Sequence, residues 1–285
     1  MAFRCGSLTA GLILLGIVAA LIITYVVLHQ KTKSNYLALA EYWVYLPGVQ
    51  MPSQDEMMKI MIRDNPYSRR GLSPIGTSEG LVFSDVRLHA ALVLRSKNPH
   101  IFRPDQFDEN IKPSQESLDA LRESKSLLKL RYASDIPLKD KRHLQFLVHA
   151  ADAMAELGNG KIIFDVKARK LITRKELMQV LKENFDATIC SLHTDVIWKK
   201  SGRGGTVETR GLNKIGVAEL KSGELELDQR VIATTVMTEA VKSLWDLGTL
   251  PETLEVKSFD DTFSILVEKV KDGMANVRIL RVQEI

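Results

Sequence analysis

Three groups of residues carry the types that chemistry needs. Ser191, His193 and Asp195 alternate along one segment and hold the side chains of a hydrolase triad. On one face of a strand, such neighbours stand ~6.6 Å apart, too far for direct proton transfer, so the spacing predicts a polar strand face. His149, Asp152 and Glu156 recur at i, i+3 and i+7 on the polar side of a helix, where three such groups suit a divalent metal. No HExxH, paired cysteine or second suitably spaced histidine accompanies them, so a solvated helix face is expected and no metal or other cofactor. Asp165 ends an apolar strand, a position that faces a ligand crevice in open α/β sheets or caps a turn, here into Lys167–Lys170.

The glycine-rich run Ser201–Thr206 is not a phosphate loop. It lacks the Lys-Ser/Thr after the last glycine, and a strand-like Thr-Val follows in place of a helix. It predicts a hairpin turn, with Glu208 and Arg210 alternating outward beside it to pair with each other or with a partner. An enzyme assembled from this inventory needs Asp165, His193 and Arg210 in one concave crevice.

The elements that must position these residues follow from periodicity. Strands are expected at Val82–Leu94, Leu130–Ala133, Lys161–Val166, Thr188–Trp198, Thr206–Thr209, Thr253–Phe259, Thr262–Val270 and Ala275–Val282. Helices are expected from Ser114 to Leu128, Leu138 to Leu157, Thr173 to Asn184 and Asp228 to Leu247, with Gly158, Gly160 and Gly248 as stops. The pattern reads as α+β, one mixed and largely antiparallel sheet covered by helices, over residues 81–285.

A second feature precedes this body. Leu8–Leu28 is uncharged and dominated by Leu, Ile and Val; as a helix it reaches about 31 Å, the thickness of a bilayer core. It exceeds the apolar core of a cleaved signal, and no small-x-small cleavage site follows it, so residues 1–33 predict a single-pass transmembrane anchor. Residues 34–80 read as juxtamembrane. Ser34–Leu46 is expected to continue the anchor helix until Pro47-Gly48, with Tyr36, Tyr42, Trp43 and Tyr45 at the headgroups or packed on the body. Ser53-Gln54-Asp55-Glu56 opens a Met-rich helix, and Asn65–Gly80 is a connector.

The formal charge is +4, of which Arg4, Lys31 and Lys33 supply +3 ahead of the body. A near-neutral body excludes a nucleic-acid partner of the electrostatic kind. Cys190 is the body's single cysteine, so no internal disulfide forms there, which favours the cytoplasmic side.

The stretch HLQFLVHAADAMAELGNGKIIFDVKARKLITRKEL, together with TRGLNKIGVAEL, resembles an uncharacterised bacterial α/β domain family with no assigned activity. The resemblance rests on the helix, the strand ending in Asp165, and the run Thr-x-Gly-Leu-x-x-x-Gly-x-x-Glu-Leu from Thr209 to Leu220. It implies a fold and supplies no catalytic residues. The expectation for function is a membrane-anchored interaction or scaffold subunit, bound to the cell membrane through residues 8–28 and to a protein partner or a second copy. The alternative is a membrane-tethered enzyme, a hydrolase, using Asp165, His193 and Arg210.

Overall fold

The computed structural model describes residues 37–63, 87–107, 111–183 and 186–282. The Leu8–Leu28 run and the 65–80 connector lie outside the described residues. Residues Leu37–Ile285 form one compact unit. The described chain is α+β, but the expected class needs correcting on two points. Among the described residues no helix is long and apolar enough to cross a membrane. The single expected sheet is two sheets.

The first strand is itself a correction. Residues Ala38–Leu46 form β1, not a helix. Ala38, Ala40, Tyr42, Val44 and Leu46 are buried in alternation. Ala40, Tyr42, Val44 and Leu46 join the main core, whereas Tyr45 joins a second cluster with Phe102, Phe107 and Phe164 and with Trp43 packed against it. Aromatic and branched side chains with period two suit a strand buried on both faces, and here that pattern outweighs a few helix-spaced matches. The strand is a central one. The first sheet runs β2 (Leu88–Leu94), β3 (Ser126–Ser134), β1, β4 (Ile162–Asp165), β5 (Lys170–Thr173), with every pairing antiparallel.

Helices cover this sheet on both sides. Helix α1 (Gln54–Arg63) packs with Met57, Ile60 and Met61 against α3 (Arg142–Leu157), which lies on β1. Helix α2 (Gln115–Glu123), capped by the Ser114 hydroxyl, closes the aromatic side with Ala120 and Leu121. It ends at Glu123 because Ser126–Ser134 has already joined the sheet as β3, so Leu128 is a strand residue. Helix α4 (Arg174–Glu183) follows β5 directly.

A single helical turn, α5 (Cys190–His193), occupies the middle of the expected 188–198 strand, and β6 begins only at Asp195. The second sheet runs β10 (Thr253–Ser258), β11 (Asp261–Lys271), β12 (Met274–Val282), β8 (Glu219–Ser222), β7 (Gly204–Arg210), β6 (Asp195–Ser201), and the short β9 (Leu225–Glu226) also pairs with β7. Among the described strands only β12 and β8 pair in parallel. Ser201–Thr206 is the expected hairpin connection. Helix α6 (Arg230–Leu247), ended by Gly248 in the left-handed region at φ +69°, packs on β6, β7 and β10. One apolar cluster runs through both sheets, from Val44, Leu128 and Leu147 to Val207, Val236 and Leu244.

Candidate functional site

The run Thr209–Leu220 builds a tight buried loop. Glu219 holds it: one carboxylate oxygen accepts the Gly211 and Asn213 amides at 2.7 and 3.1 Å, and the other accepts the Thr209 hydroxyl at 2.9 Å. The Thr209 oxygen in turn accepts the Leu220 amide at 2.7 Å. Burial raises the Glu219 carboxyl above the usual carboxylate range, opposed by these donors. Gly211 sits at φ +98°, and a β-carbon there would collide with the His193 carbonyl, so the loop passes α5 only as glycine.

This geometry drives Lys214, in the 3₁₀ segment Leu212–Ile215, fully inside the protein. Its ammonium donates to Asp165 Oδ2, to the His193 carbonyl at 2.9 Å and to Tyr42 Oη at 3.3 Å. The three donors of an ammonium are thereby satisfied. Burial lowers the Lys214 amine and the Asp165 charge opposes that shift. Asp165 Oδ1 accepts the Lys167 and Ala168 amides, both at 3.1 Å, so the expected turn is present alongside the ion pair.

A proton-ordered chain continues outward. Tyr42 Oη lies 2.7 Å from His193 Nδ1, and His193 Nε2 lies 2.5 Å from the Ala187 carbonyl. A carbonyl only accepts, which assigns the proton to Nε2 and makes Nδ1 the acceptor of the Tyr42 hydroxyl. Burial, then the nearby Lys214 charge, hold His193 well below the usual histidine range, so it is neutral. Burial likewise raises the Tyr42 phenol well above its usual value. His193 stacks on Trp245 with ring centroids 5.6 Å apart, and the Trp245 indole donates to the Thr188 carbonyl at 2.8 Å. His143, stacked on Tyr132, donates from Nε2 to the Lys214 carbonyl at 2.9 Å; burial lowers it to about 4.

Two of the three sequence candidates therefore meet, but around Lys214 and inside the core. Arg210 stands opposite Asp195 in the β6–β7 pairing and is half-buried. A cleft of about 700 Å³ lies at the end of α3 beside α4, lined by Glu156, Lys161, Arg174, Lys175, Met178 and Lys182. None of Asp165, His193 and Arg210 lines it.

The other candidates are separated or occupied. Ser191 and His193 lie on the α5 turn and Asp195 on β6, where its carboxylate accepts the Val196 amide at 3.0 Å. His149 and Asp152 are buried, so the expected solvated face of α3 is a packed one. Arg174 spans Asp152 at 3.0 Å and Glu156 at 2.6 Å, and Arg63 reaches Glu156 at 3.0 Å. Among the described residues no three His, Cys, Asp or Glu side chains are grouped to hold a metal ion. Glu208, expected outward, is buried between the Lys199 and Lys221 amines at 2.5 and 2.9 Å.

Sequence reasoning missed Lys214, Tyr42 and Glu219. Lys214 and Glu219 lay inside the Thr209–Leu220 run, where a lysine between two glycines was the available signal. Tyr42 was hidden by the helical reading of β1. The hub fastens β1 and β4 of the first sheet to α5 and to the loop leaving β7 of the second. Burying an ion pair brings little net stability, since desolvation offsets attraction, but it penalises every packing that separates the partners. The chain matches no protein-family model, no curated protein and no solved structure.

Proposed function

We propose that this chain is a membrane-attached interaction or scaffold subunit, held at the cell membrane by residues 8–28, with residues 37–282 presenting a protein-binding surface on the cytoplasmic side. One observation carries the reading. Val231 and Ile232, in the first turn of α6, are 66 and 47% exposed, and Leu227, in the 3₁₀ turn just before it, is 54% exposed. Exposed apolar side chains scattered singly are ordinary, whereas adjacent ones mark contact surfaces. The unpaired Cys190 supports the cytoplasmic side. The likeness of Thr209–Leu220 to an uncharacterised bacterial family adds a proposed fold relationship and no activity.

The test is purification of the full chain from membranes in mild detergent, followed by mass spectrometry of what accompanies it. The expected result is a stoichiometric protein companion or a self-associated species, released when Val231 and Ile232 are both changed to Asp. Monomeric protein alone overturns the reading. Deleting residues 1–33 should move the protein into the soluble fraction with the 37–285 unit still folded. Full-length protein in the soluble fraction overturns the membrane assignment.

A further inference from the structure

The Lys214 hub holds more than an ion pair needs. Its ammonium and the Asp165 carboxylate are in contact, Nζ on Oδ2, with side-chain exposures of 0 and 1%. The other carboxylate oxygen, Oδ1, accepts two backbone amides, those of Lys167 and Ala168, both at 3.1 Å. Beside the amine, Tyr42 Oη at 3.3 Å leads to His193 Nδ1 a further 2.7 Å on. That nitrogen is free to accept a proton, because Nε2 donates to the Ala187 carbonyl.

These parts are a nucleophile, an electrophile, two fixed donors and a proton acceptor. In water an amine and a carboxylic acid stay apart, because both ionise, their charges are hydrated and water competes. Inside this core the charges are already desolvated, and hydrolysing water is excluded. The fold also replaces a bimolecular encounter with a fixed contact. Attack on the Asp165 carboxyl carbon would place the oxyanion on Oδ1, where the two backbone N–H groups already point. Burial, opposed by the Asp165 charge, lowers the Lys214 amine and so favours its nucleophilic neutral form. Burial, then the charge and hydrogen bonding of Asp165, raise the Tyr42 phenol, so it stays protonated next to the carboxyl as well as the amine.

We infer that Lys214 Nζ condenses with the Asp165 side-chain carboxyl after folding, forming an amide that joins the two sheets covalently. The inference goes beyond the interaction reading and does not depend on it. The ion-paired chain, as first folded, is the reactant. Lys214 hands one proton to Asp165 Oδ2, leaving an amine and a carboxylic acid. Nζ attacks the carboxyl carbon, and the carbonyl electron pair moves onto Oδ1 under the Lys167 and Ala168 amides. The surplus proton on nitrogen passes to Tyr42 Oη as the phenol proton moves to His193 Nδ1. Its return protonates the Oδ2 hydroxyl, which leaves as water while the carbonyl re-forms. One N–C bond forms and one C–O bond breaks. The ammonium and carboxylate become an amide and one water, with no oxidant, reductant or cofactor. The bond closes a loop between residues 49 apart, from β4 to the loop leaving β7.

The test is intact-mass spectrometry of the full chain, purified in mild detergent and incubated folded over days. The expected result is loss of the mass of one water, accumulating in the folded chain and not in urea. Trypsin should then leave Lys214 uncut and release a branched peptide, Ile162–Lys167 joined to Gly211–Lys221. The branch distinguishes this amide from a cyclised aspartate, which loses the same mass without one. Asp165→Asn is expected to reach the same product mass by releasing ammonia, and Asp165→Ala to form no branch. Tyr42→Phe, with an unchanged circular dichroism spectrum, is expected to slow the condensation by about tenfold or more. A folded parent that keeps its full mass and yields no branched peptide overturns the inference. A branched peptide that forms as fast in urea overturns the role of the fold, and a Tyr42→Phe rate equal to the parent's overturns the proton route.

Discussion

Truncating Lys214 to alanine removes the counter-ion of a carboxylate that is 1% exposed. Asp165 keeps the Lys167 and Ala168 amides on one oxygen and loses the ammonium on the other. Tyr42 Oη and the His193 carbonyl lose a donor in the same step. Breaking a buried pair from one side typically costs about 3–5 kcal/mol, chiefly because the remaining charge has no compensation. At roughly 2–4 °C per kcal/mol for a domain of this size, the melting temperature should fall by about 6–20 °C. The partner variant should behave differently. In Lys214→Met with Asp165→Asn, the thioether chain fills the lysine channel, the amide oxygen retains the turn, and its NH₂ can donate to Tyr42 Oη or the His193 carbonyl. The double variant should be more stable than Lys214→Ala, with a coupling of about 2 kcal/mol or more between the two positions. Urea unfolding of the parent, Lys214→Met, Asp165→Asn and the double, followed by tryptophan fluorescence, gives the cycle, with Lys214→Ala measured beside it. A loss below about 1 kcal/mol for Lys214→Ala, or strict additivity, would refute the hub as a buried charge pair.

Stability should fall on acidification through the His143 window. His143 is held at about 4 in the folded protein, against an unfolded value near 6.5. The unfolded chain therefore binds more protons between these values, so the stabilisation is complete above about 6.5 and is lost as pH drops toward 4, a loss of roughly 3 kcal/mol. His193, lowered by the same burial, acts in the same direction. A flat denaturation midpoint from pH 7 to 4.5, or His143→Phe with an unchanged pH slope, contradicts this. Tyr42→Phe leaves His193 Nδ1 and one Lys214 donor without partners and should lower stability by about 1–3 kcal/mol; a loss no larger than that of Tyr45→Phe, which gives up a single 3.1 Å bond to the Ile101 carbonyl, contradicts the chain of hydrogen bonds. Gly211→Ala should destabilise more than Gly223→Ala, since the former combines φ +98° with a collision at the His193 carbonyl and the latter meets nothing; equal midpoints would show that the loop can shift.

What the sequence determined by itself was local. Period-two alternation placed β10, β11 and β12 close to their observed limits, and the glycines at 202 and 248 marked a hairpin and a helix end because only backbone conformation was at issue. The apolar stripe of α3 was legible from Leu144 to Ala155, and the turn role of Asp165 from its own neighbours. Tertiary structure decided the rest. Ala38–Leu46 carries enough helix-compatible residues to read either way, and the ladders from β3 and β4 on its two sides make it a strand. The polar face of α3 looked solvated because nothing local announces that Arg174 will pair with Asp152 and Glu156 or that Arg63 of α1 will reach Glu156. His193 lay on an expected strand until α5 turned it inward onto Tyr42, 151 residues away in sequence. Lys214 finds Tyr42 172 residues away and Asp165 49 away. A lysine between two glycines looks exposed on composition alone. It is buried here because Gly211 and Glu219 fix the loop that carries it, and because a carboxylate, a carbonyl and a phenol from three separate elements arrive at its ammonium together.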